Sequence, residues 1–492
     1  MKLTQDLYRS SLALFTDFYQ LTMTYGYWKT GMTDKEASFN LYFRNNPFKG
    51  GFTIACGLEY VIDYLESFKF EPSDLEYLAT IEGNDGKKLF EKEFLDFLAD
   101  LKFECDIDAM PEGTVAFPYE PLIRITGPLY QCQLLETPLL NIVNFQSLIA
   151  TKASRLHQAA KGEPVLEFGM RRAQGIDGAL AASRAAYIGG ASSTSNVLAG
   201  KLFNIPVKGT HAHSWVMSFD SEMEAFDAYA KAMPNNCVFL VDTYNTLEGV
   251  KIAIEAGKKL RQQGYEMTGI RLDSGDLAYL SIEARKMLDE AGFEKAVIVA
   301  SNDLDENIIT SLKAQQDAKV NVWGVGTKLA TAYDQPALGG VYKVSAVRKG
   351  EGWDYKIKLS EQSTKTSNPG IQQVKRFYIN GQANADMIYN EAEPLPTKKV
   401  SIVDPLDSTR RKKIKLDEIE SKDLLVPIFK KGKLVYDLPK IAEIKNTVQE
   451  ELSTFHSSIR RFSNPHSYPV GLEKGLYKLR TSLALKLRGD DE

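Results

Sequence analysis

From about residue 164 to residue 347, short apolar runs rich in β-branched residues alternate with longer stretches of helical pattern, and this alternation restricts the fold more than any other feature of the chain. The runs at 165–168, 205–209, 237–242, 269–273, 296–302 and 320–326 read as strands. Between them EMEAFDAYAKAM, TLEGVKIAIEAGKKLRQQG, LAYLSIEARKMLDEAG and LDENIITSLKAQQDA read as helices. Repeated strand-helix units build a parallel sheet. CVFLV and AVIVA carry no polar side chain, as expected of parallel strands covered on both faces. Asp242, Asp273, Asn302 and Gly324, spaced 31, 29 and 22 residues apart, each close a strand at its carboxyl end. A doubly wound sheet gathers its site at one switch point, whereas a barrel carries functional residues on many strand ends, so the pattern is read as an α/β barrel.

A chain of 492 residues exceeds one ordinary core, and roughly 150 residues per domain gives two or three domains. Residues 1–135 read as an N-terminal α+β domain, with short strands interrupted by Pro118, Pro121 and Pro128. Residues 136–347 hold the barrel, and 348–492 form a C-terminal extension of mixed α and β. The basic run RRKKIK, starting at Arg410, is read as a solvated strand edge, since a net charge of -4 gives no field for gathering nucleic acid. Cys56, Cys105, Cys132 and Cys237 have neither zinc-like nor disulfide-framework spacing and read as reduced, buried thiols. Asp17, Tyr19 and Gln20 break the apolar character of the N-terminal stretch, and no apolar window is long enough for a membrane span. The expectation is a cytoplasmic protein with no nucleic-acid or membrane partner.

Four loops carry candidate chemistry. In LEFGMRRAQG a glycine turn follows a strand and places Arg171 and Arg172 where the mouth of a barrel would hold an anion. In KGTHAHSWV, His211 and His213 stand two apart, a spacing that aims both the same way if the extended conformation continues. With no third His or Cys nearby no metal site is expected on them, and a histidine beside Thr210 and Ser214 at a strand end is a candidate for nucleophilic or acid-base work. In VDTYNT and RLDSGDL an Asp ends each strand, and the Ser274-Gly275-Asp276 turn into a helix offers N–H groups to phosphate. Asp273 and Asp276 could orient ribose hydroxyls or a magnesium ion, and equally Ser274 or Asp276 could simply cap the helix. In WGVGTKL, Gly324, Gly326 and Thr327 follow the last strand, where barrels commonly bind phosphate.

In series, DFYQLTM, YFRNNPFKGGF, EFGMRRAQG, GTHAHSWV, RLDSGDL and GVGTKL resemble the nicotinate phosphoribosyltransferases along nearly the whole chain. That resemblance implies an irregular α/β barrel of the type II phosphoribosyltransferase kind, and a homodimer whose active sites are shared between subunits. It implies that His213 is phosphorylated by ATP, a co-substrate, that Tyr19, Thr210 and Arg271 contact the base, and that Thr327 binds phosphate. It further implies nicotinate and phosphoribosyl pyrophosphate as substrates and Mg2+ as cofactor, with Asp242 and Asp273 as aids to catalysis and Arg171, Ser274, Gly275, Gly324 and Gly326 lining the substrate site. Relatives specific for nicotinamide or quinolinate, and an inactive scaffold on the same barrel, are the alternative readings. The GTHAHS motif weighs against quinolinate, whose transferases do not use a phosphohistidine.

Overall fold

The computed structural model describes residues 11–489, which pack as two compact units. One consists of Leu148–Pro336 with Ile441–Gln449; the other gathers the residues up to Ser147, Ala337–Lys440 and those from Glu450 onward.

The first unit is built on a six-stranded sheet with neighbours in the order Ser193–Thr194, Val165–Glu167, Val322–Val325, Val297–Ala300, Gly269–Leu272 and Val238–Leu240. Every pairing is parallel. The first strand in the chain pairs with the last, Val165 opposite Trp323 and Glu167 opposite Val325, and that ring closure distinguishes a barrel from a doubly wound sheet. The ring has one open seam. The expected strand at 205–209 contributes a single bridge, Val207 to Thr194, and Pro206 brings no N–H to any ladder. Across the seam a side chain replaces the ladder: Leu240 N–H donates to His211 Nε2 at 3.2 Å. The barrel is therefore irregular, as expected. Sequence reading missed the short strand Ser193–Thr194, because ASSTSN carries no apolar run.

The helices Glu222–Ala232, Thr246–Gln262, Leu277–Glu290 and Glu306–Ala314 fall where the periodicity put them. Each begins at a residue whose side chain accepts backbone N–H groups of the first turn, namely Ser221, Asn245, Asp276 and Asp305. Phe239, Leu240, Ile270, Ile298, Ala300 and Trp323 are fully buried, so the ends of these strands are fixed by a dry core. A buried ionic cluster stiffens the same unit: Lys152 reaches Glu306 at 2.6 Å and Asp334 at 2.5 Å, and Arg155 binds the other oxygen of Glu306 at 2.7 Å.

The second unit contains two larger sheets. In its seven-stranded sheet, Val341–Lys349 pairs antiparallel with Glu36–Tyr42, and Val426–Lys430 pairs antiparallel with Asp106–Ala109. Segments distant in sequence thus complete one sheet, whereas the sequence divides into consecutive stretches at 135 and 347. In the six-stranded sheet Arg376 is wholly buried, chelated by Asp386 and bonded to Val115 O and Glu451. Arg411–Lys415 is an edge strand of that sheet, with Ile414 turned inward and Arg411, Lys413 and Lys415 exposed. The four cysteines are buried thiols. Among the described residues no helix is long and apolar enough to cross a membrane.

Candidate active site

The two histidines of KGTHAHSWV part company. A helical turn begins at His213, so the extended run that would aim both rings alike stops there. His211 turns into the core, where its Nε2 accepts Leu240 N–H and its Nδ1 lies 3.4 Å from Ala212 O. A ring nitrogen that accepts from a backbone N–H is unprotonated, so His211 is held as the neutral Nδ1–H tautomer. Burial, foremost, pushes its pKa down to about 4. The unfolded chain therefore binds a proton that the folded protein refuses, and the stability held by His211 is present above about pH 6.5 and lost as pH falls toward 4. Urea unfolding of wild type and His211→Asn across that range should show the wild type losing more stability than the variant; parallel curves would contradict this.

His213 stays at the barrel mouth, its side chain 38% exposed. Its Nδ1 is 3.1 Å from Thr243 Oγ1, and its Nε2 is 4.0 Å from Asp242 Oδ1 and 3.8 Å from Asp273 Oδ2. Asp242 is buried; its Oδ2 accepts Asp273 N–H at 2.8 Å and Ser274 Oγ–H at 2.6 Å, while its Oδ1 has no hydrogen-bond partner. Ser301 Oγ donates to Asp273. Arg271 Nη1 donates to Thr210 Oγ1 at 2.5 Å and to His211 O at 3.4 Å, and its Nη2 stands 3.9 Å from Asp273. Burial pulls the Arg271 pKa below its ordinary value, opposed by the nearby Asp273 and Asp242. Thr210, His213, Asp242, Asp273, Ser274 and Arg271 thus converge from successive strand ends.

Asp276 does something plainer: it caps the following helix, accepting from Ala278 N–H and Tyr279 N–H at 3.1 Å each. Gly275 has φ +77°, a left-handed turn that favours glycine. Around the first and last strands, the buried Glu167 accepts from Gly169 N–H, from Ser183 Oγ at 2.9 Å and from Thr194 Oγ1 at 2.6 Å. That carboxylate ties down the loop from which Arg171 projects, exposed, in the turn Met170–Arg172. A Cβ on Gly169 would lie 2.2 Å from Ala330 Cβ, so the loops after the first and last strands touch. Gly324 is buried within its strand against the ring of Phe168, and Gly326 and Thr327 open a single helical turn, Thr327–Ala330. Tyr19 lies exposed on the helix Phe18–Lys29 of the other unit, its pKa raised by partial burial and by Glu136.

Sequence reasoning passed over Thr243, Ser301 and Glu167. The first two sit beside residues it singled out, Asp242 and Asn302; Glu167 is the only charged residue in its strand, a signal that was available. Among the described residues no group of three or more His, Cys, Asp or Glu side chains is arranged to hold a metal ion. Magnesium, however, commonly binds one or two carboxylates and takes its remaining ligands from water and substrate phosphates. The unpartnered Asp242 Oδ1 and the neighbouring Asp273 carboxylate suit such a shared ion.

A parallel barrel with one open seam, a strand-end cluster of acids, arginine and histidine, and a second unit drawn from both ends of the chain is the architecture of the type II phosphoribosyltransferases. Family models for the nicotinate phosphoribosyltransferase N-terminal domain, the family proper and its C-terminal domain match residues 14–144, 164–382 and 371–480. The chain belongs to the nicotinate phosphoribosyltransferase family. It is 45% identical over 489 residues to the nicotinate phosphoribosyltransferase of Bacillus subtilis, covering 98% of this chain and 97% of that one. It is 40% identical to the Caenorhabditis elegans enzyme of the same name, covering 96% and 93%. The crystal structure of human nicotinic acid phosphoribosyltransferase superposes with a TM-score of 0.81 at 34% identity, covering 95% of this chain and 99% of that one.

Proposed function

We propose that this protein transfers the phosphoribosyl group of phosphoribosyl pyrophosphate to nicotinate, forming nicotinate mononucleotide for NAD biosynthesis, and that ATP drives the reaction through phosphorylation of His213. The observation that carries this reading is the convergence of His213, Asp242, Asp273, Arg271 and Thr210 at one barrel mouth.

Cleavage at ribose C1 builds positive charge on the sugar, as in glycoside cleavage, and the Asp242 and Asp273 carboxylates are the local negative charges that favour it. Asp242 and Asp273 would also hold the pyrophosphate-borne magnesium ion, whose chemistry is to neutralise the departing charge. The pyridine nitrogen attacks C1 itself, so the protein's chief task is placement. Arg271 and Thr210, already bonded to each other, would hold the base. Backbone N–H groups at Ser274, Gly275, Gly326 and Thr327, with the exposed Arg171, would take the phosphates, Gly324 giving its strand the close packing that sets them there. Tyr19 would reach the base from a partner subunit of a homodimer. The exposed Phe18, Tyr19 and Met23 at the start of one helix, with the exposed Phe15 just before it, support such a contact. Four buried cysteines kept as thiols accord with the reducing cytoplasm.

Assays with nicotinate, nicotinamide and quinolinate side by side, with and without ATP, test the reading. Nicotinate should be the preferred base and ATP should raise net synthesis. Preference for another base would assign a different transferase, and neither transfer nor ATP hydrolysis would mean an inactive scaffold.

A further inference from the structure

We propose that Glu167 is a positioning residue for the sugar substrate: through the N–H of Gly169 it sets both the loop that carries Arg171 and the glycine turn that carries Thr327. The inference rests on the reading that these two segments take the phosphates of phosphoribosyl pyrophosphate, and names the group that fixes them.

Glu167 is 1% exposed and cannot touch a substrate, so what it does for the reaction it does through its neighbours. Its strand is held without the side chain: Glu167 O accepts Ser195 N–H at 2.9 Å, and Phe168 N–H reaches Val325 O at 2.8 Å. The ladder then stops, and the next N–H, that of Gly169, is taken by Glu167 Oε1. The following turn is built on that residue, because Gly169 O accepts Arg172 N–H at 2.8 Å and closes the turn Met170–Arg172 from which Arg171 projects. Oε2 anchors the carboxylate from behind, 2.6 Å from Thr194 Oγ1 and 2.9 Å from Ser183 Oγ. Thr194 Oγ1 in turn accepts Asn196 N–H at 2.9 Å, and Asn196 Nδ2 donates to Ser183 Oγ at 3.2 Å, so both hydroxyls are themselves held in place. Ser183, Thr194 and Asn196 are buried with Glu167, and a satisfied buried network of this kind holds one geometry.

Gly169 also bears on the opposite loop. A Cβ there would lie 2.7 Å from Gly326 O as well as against Ala330 Cβ, while its φ is an ordinary -93°, so close approach rather than backbone conformation calls for glycine. The residue that Glu167 holds thus lies directly against the start of the turn Thr327–Ala330. A shift of Gly169 moves Arg171 on one side and disturbs Gly326 and Thr327 on the other. Arg271 and Thr210, which would hold the base, come from other strand ends, so the two substrates should respond differently.

The test is steady-state transfer by the full-length enzyme, with phosphoribosyl pyrophosphate and nicotinate varied in turn, alongside thermal unfolding of each variant. Glu167→Met keeps the length of the side chain and loses its acceptors. It should raise the Michaelis constant for phosphoribosyl pyrophosphate roughly 10- to 100-fold, while that for nicotinate stays within about threefold of wild type. Glu167→Gln keeps an oxygen for Gly169 N–H and offers its amide hydrogens to the two hydroxyls, so it should recover most of the affinity. A clasp that only stabilised the fold would lower the melting temperature and kcat and leave both Michaelis constants in place. That result for Glu167→Met, equal rises in both constants, or no recovery in Glu167→Gln overturns the proposal. If Glu167→Met does not fold, Glu167→Asp decides, because its shorter carboxylate still accepts the N–H two residues on but cannot reach both hydroxyls. Its constant for phosphoribosyl pyrophosphate should stay within about threefold of wild type, and a rise of roughly tenfold overturns the proposal. Wild-type enzyme that transfers nothing from phosphoribosyl pyrophosphate would instead overturn the functional reading on which the proposal rests.

Discussion

Substitution of His213 by Ala is expected to abolish nicotinate-dependent ATP hydrolysis and phosphoenzyme formation while leaving a slow transfer that ignores ATP. Under the proposed mechanism the two activities would separate because they would use different nucleophiles, an imidazole nitrogen toward ATP and the pyridine nitrogen of the base toward ribose C1. His213 is more than a third exposed and begins a helical turn of only four residues, so truncating it removes little core packing and the barrel should remain folded. Loss of the covalent nucleophile should reduce labelling to background, and the ATP-independent rate measures what positioning alone supplies. Equal ATP hydrolysis in variant and wild type would refute the assignment. His211 makes a poor substitute, since its ring is buried and its Nε2 is engaged by Leu240 N–H across the seam. If activity tracked His211 while His213→Ala kept its ATPase, the phosphorylated residue would have to be sought in a rearranged barrel.

How much of this was legible in the sequence depends on how local its cause is. Strands such as Val297–Ala300 and helices such as Thr246–Gln262 announce themselves, because apolar runs and helical periodicity are properties of neighbouring residues. The polar residues at their carboxyl ends follow directly, Asp242 and Asp273 among them. Ring closure is not local. Nothing in Val165–Glu167 says that its neighbour is Val322–Val325, and nothing in the segment around Val207 says that its ladder fails after one bridge. The divergence of His211 from His213 has the same origin, since it depends on where the extended segment gives way to a helical turn. The second unit is the extreme case: Glu36–Tyr42 and Val341–Lys349 lie some three hundred residues apart and share a sheet edge to edge. Asp276 shows the converse, a residue whose local role as a helix cap was readable and is what the hydrogen bonds display.

Exchange of Arg271 for Lys should raise the Michaelis constant for nicotinate more than that for phosphoribosyl pyrophosphate, and should narrow the preference for nicotinate over nicotinamide. Nicotinate is an anion and nicotinamide is neutral, so a guanidinium that offers two parallel N–H groups to a carboxylate gains much less from an amide. The structure leaves such donors available. Nη1 is committed to Thr210 and His211 O, but Nε is buried without a partner and Nη2 has only the distant approach to Asp273. An unpaired donor in a partly buried site is costly until something accepts from it, and a substrate carboxylate is such an acceptor. A charged hydrogen bond contributes roughly 1.5–3 kcal/mol, and each 1.4 kcal/mol is about tenfold, so the contact supports a preference on the order of 10- to 100-fold. Lysine keeps the charge but lacks the planar fork, and it cannot at once hold Thr210 and grip a carboxylate with the same geometry. Steady-state kinetics of wild type and Arg271→Lys with each base distinguishes the possibilities. If affinity for the sugar substrate falls while the nicotinate-to-nicotinamide ratio is unchanged, Arg271 binds phosphate, and the selectivity must be carried by the other groups at the mouth, Thr210 first among them.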